Sequence, residues 1–152
     1  MTNKRSRGFS LVEVILALGL LGMSMVSVGW LLTQGARSTR GGRTATEALS
    51  VGRTILEEME GWGFHQSHLA YGYDGSARTY TIDTRTNSYC TRWQSTLDEK
   101  LVDAYGIIEL KSISSGGTPP LMADAAAIRI TVTVYWTEDE RARTVSLAAL
   151  KL

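Results

Sequence analysis

Glu13 is the residue whose surroundings make it chemically conspicuous. It is the only charged side chain between Phe9 and Leu32, a 24-residue run reading FSLVEVILALGLLGMSMVSVGWLL. A carboxylate in hydrocarbon must be neutralised or paired, so an isolated acid in such a run points to function. The other polar groups form weaker sets. His65 and His68 stand three apart with Asp74 nearby, a spacing that can hold a metal on a helix. They lack a convincing third ligand and read as loop residues. Glu138, Asp139 and Glu140 read as the solvated tip of a turn, and Asp98, Glu99 and Asp103 as solvated acids. The single cysteine, Cys90, excludes an internal disulfide and reads as a small buried strand residue. No nucleophile–base pair, phosphate-binding loop or metal-spaced cluster stands out, so no catalytic residue, metal or cofactor is expected.

The elements that must position Glu13 follow from composition and pattern. The chain has 152 residues, enough for one domain with a core. Its formal charge is +1, unevenly placed, because Lys4, Arg5 and Arg7 all precede Phe9. Without residues 1–8 the balance is 13 basic against 15 acidic side chains, which gives no reason to expect a nucleic-acid partner. The run from Phe9 to Leu32 is long enough to cross a bilayer as a helix. The positive residues before it favour the cytoplasmic side, and Trp30 falls at the far interface. Arg37, Arg40 and Arg43 then end the run. A cleavable secretory signal has a shorter apolar region of roughly 7–15 residues and needs no acid at its start. A plain one-pass anchor explains the length but not Glu13.

The stretch Gly8-Phe9-Ser10-Leu11-Val12-Glu13, behind its basic leader, closely resembles the class III signal of type IV pilins and type II secretion pseudopilins. The resemblance implies that residues 1–8 are a leader removed by a prepilin peptidase between Gly8 and Phe9. It implies an N-methylated Phe9 and an assembly role for Glu13, fifth in the mature chain. It also implies an α+β pilin fold, a long N-terminal helix packed on an antiparallel β-sheet. In a filament the Phe9 amine can meet Glu13 of a neighbour or of its own chain. Each charge then relieves the other's desolvation, and helices out of step leave both unpaired. Many major subunits of the family carry a proline in the membrane helix and a C-terminal disulfide. Here no proline precedes Pro119 and Cys90 stands alone, which favours a minor pilin or minor pseudopilin.

The rest of the chain fits that plan. Gly35 to Arg43 reads by itself as a linker, with a kink or loosening of the helix expected at Gly41-Gly42. Thr44 to Glu60 has helical periodicity, with Ala45, Ala48, Leu49, Gly52, Ile55, Leu56 and Met59 on one face. Residues 61–77 read as loop. Arg78–Thr84 and Ser88–Trp93 read as a hairpin around Arg85-Thr86-Asn87, and Ile107–Ile113 as a third strand. Ser114 to Pro120 is a loop. Ala127 to Trp136 alternates, with Ile128, Ile130, Val132, Val134 and Trp136 on the inner face. Thr137 to Arg141 makes a turn, and Ala142 to Leu150 returns. This last hairpin resembles that of minor pilins of the V type and minor pseudopilins of the I type.

The expected organisation is therefore leader 1–8, membrane and assembly helix 9–32, helix continuation 33–60 and a sheet domain 61–152. The resemblance implies a non-enzymatic minor pilin, in or priming a type IV pilus. The runner-up is a minor pseudopilin of a type II secretion system. A single-pass membrane-anchored binding domain or enzyme is the reading from a different class. The implied partners are other pilin or pseudopilin subunits in a hetero-oligomeric filament, the prepilin peptidase, an inner-membrane assembly platform and the membrane itself. The implied location is the bacterial inner membrane with a periplasmic globular domain, then a pilus or pseudopilus.

Overall fold

The computed structural model describes residues 10–63, 66–114 and 118–152. Helix α1 runs from Leu11 to Gly61, followed by a short helix α2 at Gln66–Leu69. Strand β1 (Thr79–Asp83), helix α3 (Thr91–Lys100) and strands β2 (Tyr105–Ile113), β3 (Ala127–Glu138) and β4 (Arg141–Lys151) follow. The strands form one antiparallel sheet in the order β1-β2-β3-β4. The chain divides into two compact units, residues 1–40 and 41–152.

In the first unit the helix has no core of its own. Leu11, Leu16, Leu20, Met25 and Leu32 are all exposed. Its two mid-run hydroxyls are satisfied inside the helix. Ser24 Oγ donates to the Leu20 carbonyl at 2.7 Å and Ser27 Oγ to the Met23 carbonyl at 2.9 Å. Hydroxyls bonded within the helix in this way are ones that hydrocarbon tolerates. Gly41 and Gly42, expected to loosen the chain, are helical residues of α1.

In the second unit α1 lies on the sheet through Ala48, Val51, Gly52, Ile55 and Met59. This face is rotated from the expected one. Ala45 and Leu49 point to solvent, while Val51 is buried. Gly52 lets the helix come close. A Cβ there would stand 3.2 Å from Leu147 Cδ1 and 3.4 Å from Val134 Cγ2. The sheet's inner face carries Tyr80 and Ile82 from β1, Ile108 and Leu110 from β2, and Ile128, Ile130, Val132, Val134 and Trp136 from β3. The expected inner face of β3 is therefore correct at every position. Edge strand β4 adds Val145, Leu147 and Ala149, each half-buried.

The expected hairpin of Arg78–Thr84 with Ser88–Trp93 is not formed. Strand β1 pairs instead with β2, Tyr80 opposite Leu110. Ser88–Cys90 is a 3-10 turn, capped by the Asn87 side chain accepting from the Tyr89 N–H, and it leads into α3. Trp93 and Leu97, four apart, and then Leu101 bury one side of α3 in the core. Gln94 fixes α3 to the sheet. Its Nε2 donates to the Ala104 carbonyl at 2.8 Å, and its Oε1 accepts from Thr84 Oγ1 at 2.6 Å. Thr84 Oγ1 in turn accepts from the Gly106 N–H. Segment 61–77 is not only loop, because α2 places Ser67 and His68 in the interior and Tyr71 is buried after it.

The β3–β4 turn is tighter than expected. Glu138 pairs with Arg141, so the loop is Asp139-Glu140 alone, with φ of 47° and 61°. Two left-handed residues are what a two-residue hairpin loop requires. Glu138 therefore belongs to the strand and is not a solvated tip residue. Its carboxylate accepts from Thr44 Oγ1 at 2.8 Å, pairs with Arg143 at 3.3 Å and lies against Gly41. At the other end of β4, Lys151 Nζ donates to the carbonyls of Met59 at 2.9 Å and Glu60 at 3.1 Å, and to that of Trp62. The Met59 and Glu60 carbonyls are ones that the end of α1 leaves without intrahelical partners.

Candidate functional site

The chemistry-bearing residues fall into one segment, the start of α1. Gly8 and Phe9 lie outside the described residues. Ser10 precedes the helix, and its carbonyl accepts from the N–H of Glu13 at 3.0 Å and of Val14 at 3.2 Å. Glu13 is therefore in the first turn, where an acid complements the helix N-terminus. It is exposed, at the edge of a shallow apolar groove formed by Val14, Ala17, Leu18 and Leu21. A carboxylate on this otherwise apolar face has no cation from its own helix among the described residues. The first basic residue after it in the sequence is Arg37.

Apolar length follows directly. From Leu11 to Leu32 the helix rises about 33 Å at 1.5 Å per residue, matching a hydrocarbon layer of about 30 Å. Glu13 then falls near one face of that layer and Trp30 near the other.

A model of the prokaryotic N-terminal methylation motif matches residues 3–29. The chain carries the signature of type IV pilins and pseudopilins. The match spans the basic stretch before Gly8, Phe9, Glu13 and the apolar run as far as Gly29. A long apolar N-terminal helix, lying on a four-stranded antiparallel sheet through its later residues, agrees with the pilin fold. Proteins with this signature are generally structural rather than enzymatic, and they assemble with like subunits after prepilin peptidase processing. Neither curated proteins nor solved structures gave a match to this chain.

The remaining candidates stand apart from this site. His65 lies outside the described residues, and His68 is buried against Tyr80, ring centroids 6.3 Å apart. Asp74 is exposed and turns to its own loop. It accepts from Ser76 Oγ at 2.6 Å, Ser76 N–H at 2.9 Å and Tyr80 Oη at 3.0 Å. The Ser76 hydroxyl first, then the Ser76 N–H and Tyr80, hold the Asp74 carboxyl down at about 2. Among the described residues no group of three or more His, Cys, Asp or Glu is placed to hold a metal. Cys90 is fully buried, in the 3-10 turn rather than a strand. Burial, with a smaller push from Asp83, raises its thiol to about 11, so it is an inert core residue at neutral pH. Asp98, Glu99 and Asp103 are exposed.

Sequence reasoning missed Glu58. Its carboxylate accepts from Trp93 Nε1 at 3.0 Å and pairs with Arg92, joining the end of α1 to α3. The signal was available in the i, i+4 spacing of Trp93, Leu97 and Leu101, which marks a helix with one apolar side.

Proposed function

We propose that this chain is a minor pilin, a structural subunit incorporated in or priming a type IV pilus. The single observation that carries the reading is the methylation motif at residues 3–29 placed on a membrane-length helix. The peptidase cuts between Gly8 and Phe9, and Phe9 is N-methylated. The unit bearing the sheet lies on the periplasmic side of the inner membrane before assembly. Leaving the bilayer laterally, the apolar helix exchanges lipid for the helices of other subunits. Glu13 then pairs with a Phe9 amine, and that pair sets the axial register. The absence of proline between Phe9 and Leu32 and the lone Cys90 support a minor over a major subunit.

N-terminal sequencing of the mature protein tests processing. Methylated Phe9 is expected, and an intact Met1 refutes the proposal. Glu13→Ala tests register: the variant is expected to reach the membrane but not the filament, and normal assembly removes the role given to Glu13. A minor pseudopilin of type II secretion shares all of these features. Deletion of the gene separates the two, with loss of piliation and motility expected for the pilin and loss of secretion for the pseudopilin.

A further inference from the structure

The two edges of the sheet are finished differently. At the ends of β1, the Arg78 carbonyl accepts from the Ser112 N–H and the Thr84 N–H donates to the Gly106 carbonyl. Antiparallel bonding alternates, so Thr79, Thr81 and Asp83 turn their backbone groups to the open side. Two of those three carbonyls are already taken. That of Thr81 accepts from Tyr73 Oη at 2.9 Å, and that of Asp83 from the Asn87 N–H at 3.0 Å and the Thr86 N–H at 3.2 Å. Strand β1 is also short and ends in a charge, so this edge is closed to a further strand.

The β4 edge has none of this. Glu138 and Arg141 close a two-residue loop and form a bonded pair. By the same alternation Ala142, Thr144, Ser146, Ala148 and Leu150 turn their N–H and C=O groups outward. All five residues are exposed, and among the described residues nothing bonds those backbone groups. From Thr144 to Leu150 there is no charge, proline or glycine, and the register with β3 is unbroken. Charge, proline and bulges are what ordinarily keep an edge strand from pairing. The apolar layer is unfinished here as well. Val145, Leu147 and Ala149 face α1 but are only half-buried. Leu49 and Leu56 stand about 60° and 40° around α1 from Gly52, on the side away from Glu58 and its bond to α3. They therefore border the open edge, and Leu49 is exposed.

We propose that β4 receives an extended strand from a different protein chain, added antiparallel as a fifth strand. Its alternate apolar side chains would cover Val145, Leu147 and Leu49. Arg143 and Lys151 bracket the uncharged stretch, so a strand with a carboxylate at each end fits. The same brackets disfavour a second copy. Two β4 strands paired over all of Thr144–Leu150 are centred on Leu147 and set Arg143 of each against Lys151 of the other. Head-to-tail growth is disfavoured too, because the β1 edge that would meet β4 is closed.

The full chain in detergent tests this by fluorescence anisotropy with a labelled peptide, Glu-Thr-Val-Thr-Val-Thr-Val-Thr-Glu. Laid antiparallel on Arg143–Lys151, its valines fall opposite Val145, Leu147 and Ala149 and its glutamates opposite the two cations. Binding is expected, and about fivefold weaker binding of the peptide with glutamine at both ends. Ala148→Pro removes an outward N–H and leaves the bonds to β3, so it should weaken binding about tenfold with the fluorescence of buried Trp93 and Trp136 unchanged. Thr144→Lys, a side chain on the outer face with its own backbone still free, should weaken it far less. No binding by the native chain overturns the inference, and so does binding that Ala148→Pro leaves unchanged. Equal affinity for the glutamate and glutamine peptides overturns the acid-ended partner. A dimer of the full chain that Ala148→Pro dissolves, seen by sedimentation, overturns it in favour of a second copy. None of these outcomes bears on processing at Phe9, which N-terminal sequencing tests separately.

Discussion

Gly52 sets how closely α1 approaches the sheet, and two substitutions there should have opposite signs. In Gly52→Ala the new methyl meets Leu147 Cδ1 at 3.2 Å and Val134 Cγ2 at 3.4 Å. Replacing glycine in a helix interior by alanine gains about 1 kcal/mol from the backbone. The closer neighbour is the end of a half-buried leucine on the edge strand, which can move a few tenths of an ångström. The backbone term should win, leaving Gly52→Ala neutral or up to about 1 kcal/mol more stable. Gly52→Val adds two further carbons toward Val134, a fully buried side chain on an interior strand with no room to give. Overpacking of this kind costs about 1–3 kcal/mol, and valine is a poorer helix former than alanine. Thermal unfolding of the full chain in detergent, followed by the fluorescence of buried Trp93 and Trp136, should show it. Gly52→Val is expected to lower the midpoint by roughly 4–12 °C and Gly52→Ala to leave it unchanged or raise it by a few degrees. Leu147→Ala in the Gly52→Val background should recover part of the loss, a coupling between touching residues. A Gly52→Val protein as stable as the native one, with no coupling to Leu147, would refute the close helix–sheet contact.

Two further outcomes are expected. The Asp74 carboxyl is held at about 2 by Ser76 and Tyr80, below its ordinary 3.8, so its stabilising contribution is present above pH 4. That contribution is lost as pH falls toward 2, so Asp74→Asn should flatten the acid limb of a stability–pH curve, and an unchanged limb would refute the loop contacts. The buried Cys90 thiol, raised to about 11, should resist alkylation in the folded protein at pH 8 and react fully in denaturant, as a mass shift will show.

The parts legible in the sequence are those governed by one strong rule. Lipid demands a long apolar run, so the segment around Glu13 was readable without any contact. Strand β3 was readable because one face is buried along its whole length and the other is not. Helix α3 was missed because Tyr89, Cys90, Thr91 and Trp93 favour strands locally, while the decisive feature is burial of Trp93, Leu97 and Leu101 together. Local preference is a weak guide when tertiary packing opposes it. The same holds for α1, whose buried face is set by where Gly52 meets β3 and β4, not by the best apolar stripe. Glu138 read as surface because its partners, Thr44 and Arg143, are brought to it only by folding. For the candidate site, the motif was complete in sequence, and the structure adds the first-turn position of Glu13 and its apolar surroundings.

The two polar ties between α1 and the β3–β4 hairpin have a mechanical consequence. Thr44 bonds Glu138 beside the hairpin turn, and Lys151 bonds the carbonyls at the far end of the helix. An axial pull on α1 cannot break these ties one after the other by peeling, because they sit at opposite ends of the same contact. It must slide the helix past the hairpin and load both at once, in shear, together with the side chains packed between them. A subunit pulled along its helix axis therefore carries tension into edge strand β4 and its inner neighbour β3 together.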